Sequence, residues 1–302
     1  MGELIFKYAP HTKFFGNGLF RFTQPSALND PEEALPVVLF EDYAPEDFAV
    51  ARARMAGSVV AKSLNDDEFV RRFALMPFGH RMDHRTVPGL WPAKVPELRE
   101  EAFETIEELD RAYADRAVSL ARQRADETLG IFSLSTSTAE PMWAYYAGDH
   151  SGVCVRFHKS HPFFDSRLRP VEYSEKSIYV SVNQGMVRLA GISLSKDQLR
   201  RGIIADIPDA LLFRKRSTWA HECEWRMIEK LVNADTQPHV GIFLFKIPPD
   251  AFHSIVFGYK ATEDTIAEAV SIAAGGPFRH VPIYKRTRGQ GGTMAESLVA
   301  LT

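Results

Sequence analysis

The 302-residue sequence is 45% hydrophobic and 25% charged, which is typical of an ordinary globular protein with a sizeable core. Its formal net charge of −3 argues against a generally basic surface for nucleic acid. Two cysteines, Cys154 and Cys223, are too few for a disulfide framework or a zinc–cysteine cluster. The sequence has no apolar run near the ~18 residues of a membrane span and no signal-peptide pattern. A cytoplasmic protein without a membrane partner is therefore expected.

The first part of the chain combines short strands with a polar loop. Apolar runs predict strands over 4–8 and 19–23. Residues 24–31 predict a rigid turn, because Asn and Asp precede a proline there. The polar residues of this part that could line a site are Lys7, Tyr8, Arg21 and Asn29.

Residues 45–129 are predicted to form a helical insertion. The strongest helix is 97–129, where apolar residues recur at three- and four-residue steps. At 1.5 Å per residue this helix would be about 50 Å long, more than a small core requires. We therefore expect a kink or a partner for it, and a homodimer through 97–129 is one prediction.

A strand, a polar cap and an aromatic helix follow the insertion. The run 131–135 predicts a strand that ends at Ser135, the first residue of a Ser-Thr-Ser sequence. A proline at the first helical position predicts a short helix over 142–147. Its Trp143 and Tyr146 have two interpretations, core packing or a wall on which a flat ring stacks.

Segment 215–226 concentrates charge and aromatic rings in Lys-Arg-Ser-Thr-Trp-Ala-His-Glu-Cys-Glu-Trp-Arg. With the apolar run behind it, its end predicts a strand, in which side chains alternate between faces. Glu222, Glu224 and Arg226 would then share one face, while the cysteine and tryptophan between them face the core. Two carboxylates held so close need a cation or a function. They form either a solvated ion-pair network with Arg226 and Lys215, or a site where one carboxylate stabilises positive charge and the other takes a proton.

Short strands with segregated helices predict an α+β fold of mainly antiparallel, twisted sheets with a helical insertion. Residues 1–44 and 130–286 would form one core domain, 45–129 the insertion, and 287–302 a flexible C-terminal tail. The chain has no G-x-G-x-x-G between a strand and a helix, no P-loop and no G-x-S-x-G. Rossmann, P-loop and α/β-hydrolase sites are therefore unsupported.

Three blocks of this sequence resemble a bacterial family known as domain of unknown function 2971. The blocks are Lys7-Tyr8 with 19–31, Phe132–Ser135 with Met142–Val153, and Lys215 and Trp219 with Glu222 and Glu224–Arg226. The resemblance spans nearly the full length, and residues 255–258 also fit. Two positions depart from the pattern: Glu32 stands where an aromatic residue is usual, and His221 where a tyrosine often stands. The family name carries no function.

A more remote resemblance is to ADP-ribosyltransferases. Glu222-Cys223-Glu224 resembles their Glu-x-Glu element, and Ser135-Thr136-Ser137 resembles their Ser-Thr-Ser element. Lys7, Tyr8 or Arg21 would be the basic or aromatic residue of their first strand. The resemblance implies that NAD is the substrate. Glu224 would hold the ribose as positive charge develops, and Glu222 would orient or deprotonate the acceptor.

The same resemblance implies roles for the other candidates. Trp143 or Tyr146 would stack on nicotinamide. Lys7, Arg21, Lys215 or Arg226 would meet the pyrophosphate, and Asn29 and Ser135 complete the NAD-binding set. The acceptor would be a protein or a nucleic acid, and the enzyme a bacterial toxin or a phage-defence effector.

Two alternatives stay open. In the first, the protein is a non-catalytic nucleotide or nucleic-acid binding module, and the charged face is a structural network. In the second, it is a metal-dependent nuclease in which Asp30, Glu222 and Glu224 hold Mg²⁺.

Overall fold

The computed structural model describes residues 3–28, 38–40, 98, 100, 106–175, 178–183, 186–204 and 207–300. Most of the predicted insertion, 45–129, lies outside these ranges. The chain divides into two compact units. The first unit is Met1–Phe22, Ile131–Val171 and Thr218–Thr302, and the second is Thr23–Gly130 and Glu172–Ser217.

Strands dominate the described part of the chain. In chain order they are β1 (Leu4–Ala9), β2 (Leu19–Phe22), β3 (Val38–Phe40), β4 (Leu129–Ser135), β5 (Val153–His158), β6 (Leu168–Pro170), β7 (Glu172–Tyr173), β8 (Ile178–Asn183), β9 (Met186–Leu189), β10 (Ile192–Ser195), β11 (Arg214–Lys215), β12 (Glu224–Lys230), β13 (Thr236–His239), β14 (Ile242–Lys246), β15 (Phe252–Phe257), β16 (Ile283–Arg288) and β17 (Met294–Ala300). The α-helices are α1 (Ile106–Thr128), α2 (Glu140–Tyr146), α3 (Lys196–Arg200), α4 (Ala210–Phe213) and α5 (Glu263–Ala274). The predicted α+β class is confirmed.

The first unit is built on an eight-stranded sheet in the order β17-β16-β15-β5-β1-β4-β12-β6. The pairs β1/β4, β1/β5, β5/β15, β6/β12 and β16/β17 are antiparallel, and β15/β16 is parallel. A three-stranded sheet, β13-β14-β2, belongs to the same unit. The predicted mainly antiparallel pairing of the strands is confirmed.

Strand β1 lies inside the large sheet, between β5 and β4, and is buried on both faces. Ile5 and Ala9 join a phenylalanine-rich cluster, whereas Phe6 and Tyr8 join a second cluster with Trp143 of α2. Alternation along a strand sends these two pairs to opposite sides of the sheet. Strand β1 therefore separates two apolar clusters of the first unit.

In the second unit, α1 packs against the four-stranded sheet β10-β9-β8-β3. Tyr113, Ala117 and Leu120 are buried in its core, as their spacing predicts. The small side chains of Ala114, Ala117 and Ala121 lie on the same buried stripe, which lets the helix approach the sheet closely. No described helix is long and apolar enough to cross a membrane.

The C-terminal segment differs from the predicted flexible tail. Residues 294–300 form β17, which pairs antiparallel with β16 at the edge of the large sheet. Most side chains of β17 are exposed, so the strand lacks the apolar alternation by which strands are recognised. Main-chain pairing, rather than burial, holds it in place.

Candidate functional site

The Glu-x-Glu element lies at the entry to β12, and its backbone differs from the predicted strand. A 3₁₀ turn covers Ser217–Glu222, and β12 begins only at Glu224. Between them Cys223 has φ +46°, in the left-handed region that residues with side chains seldom adopt. Glu222 is buried and Cys223 is exposed. The prediction that the cysteine faces the core is therefore wrong.

Glu224 and Arg226 form a buried, two-pronged ion pair. Arg226 donates from Nε to Glu224 Oε1 at 2.8 Å and from Nη2 to Oε2 at 3.2 Å. The two residues are only 6% and 1% exposed. The two side chains lie on the same face of the strand, as their spacing of two residues predicts. Arg226 neutralises Glu224, as the ion-pair interpretation predicts, but the pair is buried and not solvated.

Glu222 is fixed from two sides. Ser135 Oγ on β4 donates to its backbone carbonyl at 2.5 Å, and the backbone N–H of Thr136 donates to the carbonyl of Cys223 at 3.2 Å. The Tyr146 hydroxyl of α2 donates to the Glu222 carboxylate. The Ser-Thr-Ser sequence thus holds the turn that carries Glu222, while the aromatic helix holds its carboxylate.

Lys7 brings β1 into the same region. Its Nζ donates to the carbonyl of Ser133 at 2.9 Å and lies 4.9 Å from the ring centre of Phe132. The side chain as a whole is half-buried, but its ammonium group is buried. Burial lowers the pKa of Lys7 to about 8, against the attraction of Glu224, which raises it. A lysine in this state can act as a cation or as a base near neutral pH.

Tyr8 and Trp143 line a cavity of about 290 Å³ in the first unit. The Tyr8 hydroxyl donates to the carbonyl of Ser137 at 2.9 Å, and its ring meets Trp143 edge-on with centres 5.4 Å apart. Burial raises the pKa of Tyr8 and raises that of Cys154, also in the cavity wall, to about 12. Both groups are therefore protonated at neutral pH. Glu222 and Glu224 are not among the residues that line this cavity.

Two arginines of the cavity wall are functional candidates that the sequence motifs miss. Arg156 on β5 pairs with Glu296, and Arg286 on β16 pairs with Glu140 while lying 4.6 Å from the ring centre of Trp143. One signal was available: Arg156 is the charged residue of the apolar strand Val-Cys-Val-Arg-Phe.

The remaining predicted site residues are Arg21, Lys215 and Asn29. Arg21 lies on β2 in the three-stranded sheet, where it donates to the carbonyl of Gly241 at 3.4 Å. Lys215 is buried on β11 in the second unit, where its carbonyl accepts from the backbone of Ser174. Asn29 lies outside the described residues.

Among the described residues, no group of three His, Cys, Asp or Glu side chains could hold a metal ion. Asp30, the third ligand of the nuclease hypothesis, lies outside the described ranges. Both carboxylate oxygens of Glu224 accept from Arg226, and Glu222 accepts from Tyr146. The described part of the chain gives the magnesium hypothesis no support.

The first unit is therefore an α+β domain with a buried acid–base cluster beside its central strand. In comparison with known families, residues 142–227 match the model of the family described as "Protein of unknown function (DUF2971)". The match includes Trp143, Tyr146 and the Glu-x-Glu element. Lys7 on β1 and Ser135 on β4 lie outside it. No curated protein and no solved structure gave a match.

Proposed function

We propose that the protein is an ADP-ribosyltransferase-like enzyme that cleaves NAD and transfers ADP-ribose to a protein or nucleic acid. One observation carries the proposal: β1, β4 and β12 are neighbouring strands of one sheet. They bring Lys7, Ser135 and the Glu-x-Glu element into one region, although these are far apart in sequence. This is the combination of elements that the resemblance to ADP-ribosyltransferases requires.

The chemistry assigned to Glu224 follows from its charge and surroundings. The bond between the ribose C1′ and the nicotinamide nitrogen breaks, its electron pair leaves with neutral nicotinamide, and positive charge develops on the ribose. The Glu224 carboxylate stabilises that charge, and its effect is strongest in a site from which water is excluded. Arg226 keeps this carboxylate ionised and oriented in the resting enzyme.

Glu222 is assigned the role of the base that takes the proton from the acceptor. The acceptor nucleophile forms the new bond to C1′ and loses a proton to the Glu222 carboxylate. Tyr146 and Ser135 support this role, because together they fix the carboxylate and the backbone of Glu222. Lys7, which is near enough to Glu224 to be attracted by it, supplies positive charge for the NAD pyrophosphate.

The test follows free nicotinamide after purified full-length protein is mixed with NAD and a cell extract as acceptor source. The Glu224→Gln variant keeps an oxygen for Arg226 but removes the charge. We expect its nicotinamide release to fall by about 10²–10³-fold. Glu229→Gln, on the same strand but paired with Arg167, is the matched control and should keep its activity. Thermal melts of both variants confirm folding. Full turnover by folded Glu224→Gln would refute the assignment.

A second candidate, a non-catalytic nucleotide-binding module, is favoured by the completeness of the Glu224–Arg226 pair. Both carboxylate oxygens already accept from the guanidinium, as in a structural ion pair. Saturable NAD binding by calorimetry, without nicotinamide release by the folded wild-type protein, would select this function.

A further inference from the structure

We infer that the cavity beside Trp143 is a binding site for a small organic anion, one with a flat apolar body and a carboxylate or phosphate group. The inference does not depend on NAD cleavage. It rests on the size of the cavity, on its two kinds of wall, and on the way its arginines are paired.

The cavity is a pocket of about 290 Å³ that opens to solvent, since the exposed residues Thr138 and Glu296 are part of its lining. A water takes up about 30 Å³ of liquid, and typical ligand pockets begin near 300 Å³. The cavity therefore suits a small molecule of roughly one ring and one charged group.

One part of the wall is apolar and aromatic. Phe6 and Tyr8 project from β1, and Trp143 comes from α2. Aromatic walls favour flat ligands, which stack or pack edge-on against them. Tyr8 is a protonated hydroxyl and adds a polar group at this wall.

The other part of the wall carries two arginines. Among the lining residues Arg156, Arg286 and Glu296, positive charge exceeds negative by one, and Glu140 pairs with Arg286 from outside the lining. Arg286 has a side chain only 8% exposed and lies against Trp143, so it is oriented before any ligand binds. A guanidinium has five N–H donors. The bonds from Arg286 to Glu140 use two of its nitrogens, and the bond from Arg156 to Glu296 uses one, which leaves donors for a ligand anion.

The carboxylates that now pair with these arginines are replaceable. Glu140 and Glu296 have side chains 50% and 33% exposed, so each can turn into water. Ion pairs that reach water contribute little to stability. Glu296 also reaches Arg156 from the edge strand, across β16 and β15, a backbone separation of about 14 Å at 4.8 Å per strand. It therefore lies where an incoming anion would compete with it.

The experiment measures binding of two probes, benzoate and phenyl phosphate, to the full-length protein by isothermal titration calorimetry, with benzyl alcohol as the neutral control. We expect saturable millimolar or tighter binding of at least one anion and much weaker binding of the alcohol. A preference for benzoate assigns the site to carboxylates, and a preference for phenyl phosphate assigns it to phosphate esters.

Variants show where the anion binds and whether each substitution weakens or tightens its binding. Arg156→Gln and Arg286→Gln should weaken anion binding at least about tenfold, the usual loss with a charged hydrogen bond. Arg279→Gln, an exposed arginine elsewhere in the unit, is the matched control. Glu296→Gln removes the competing carboxylate and should tighten binding about two- to fivefold.

Because Arg286→Gln could fail to fold, the result from Glu296→Gln decides independently. Failure of both anions to bind, equal binding of benzyl alcohol, or unchanged affinity in Glu296→Gln would each overturn the inference. Glu224→Gln should leave probe binding unchanged, so a failed NAD assay and a failed binding assay remain distinguishable.

Discussion

Replacing Arg226 by methionine should destabilise the protein, because it leaves Glu224 buried without its closest countercharge. Arg226 donates to both carboxylate oxygens, and neither residue is more than 6% exposed. Breaking a buried pair by removing one partner costs about 3–5 kcal/mol. Lys7 also attracts Glu224, so we expect about 3 kcal/mol, the lower end of that range. The melting temperature should fall by about 6–12 °C for a domain of this size.

The double variant Glu224→Met/Arg226→Met separates charge from packing. Two apolar side chains of similar volume are often neutral or stabilising in place of a buried ion pair. We therefore expect the double variant to recover most of the stability lost in Arg226→Met. Urea denaturation at pH 7, followed by tryptophan fluorescence and circular dichroism, measures both free energies. Arg167→Met is the control, since the more exposed Arg167–Glu229 pair contributes at most about 1 kcal/mol.

Two results together would refute this reasoning. One is a double variant no more stable than Arg226→Met, which would mean that the unpaired carboxylate is not the source of the loss. The other is an Arg226→Met variant that loses no more than the Arg167→Met control. In that case the pair would behave as a surface ion pair, despite its burial.

Three further predictions concern single side chains. Between pH 8 and 10 the Lys7 amine has lost its proton in the folded protein but keeps it in the unfolded chain. The free energy of unfolding of the wild type should therefore rise with pH relative to that of Lys7→Met, by on the order of 3 kcal/mol. Parallel curves of urea midpoint against pH for the two proteins would contradict this. Gly258→Ala should cost more than about 3 kcal/mol in urea denaturation, since its Cβ would lie 2.0 Å from a backbone oxygen of the turn before β5. Gly275→Ala, with its nearest contact at 3.9 Å, should be close to neutral. Tyr146→Phe removes the hydroxyl that donates to the buried Glu222 carboxylate and should cost about 1–3 kcal/mol in thermal melts, whereas Tyr145→Phe, 66% exposed, should cost nothing measurable.

Local sequence patterns predicted most of the elements around the site. The apolar run of β1, the short helix with proline near its start, and the strand that ends at Ser135 all lie within a few residues of their predicted bounds. A capping side chain acts over the same short range: Thr262 at the start of α5 accepts from the backbone N–H of Thr265. These elements were predictable because each depends on neighbours within a few residues, through apolar periodicity or a capping side chain.

The orientation of the Glu-x-Glu element was not predictable in the same way. Period-two alternation assumes an extended backbone, but Cys223 adopts a left-handed conformation. Glycine or asparagine would have indicated such a residue, and neither stands at this position. The conformation is held instead by contacts from β4, where Ser135 and Thr136 bind the carbonyls of Glu222 and Cys223. Those contacts join residues nearly ninety positions apart, which no local pattern reports.

The sequence could not predict that Arg156 and Glu296 line one cavity, and the reason is again a contact between distant residues. Arg156 and Glu296 are 140 positions apart, and they meet only because β17 extends the sheet at its edge. The glycine-rich sequence before β17 is typical of a linker, and the exposed side chains of the strand hide its pairing. Once β17 is placed, a carboxylate on the edge strand pairs with an arginine of an inner strand, and both side chains line the cavity. An edge strand held by backbone pairing can carry such a carboxylate without a large folding cost, because its outward side chains pack against little else. The same arrangement lets Glu296 leave Arg156 without disturbing the core, so the pair can give way to an anion of the right size.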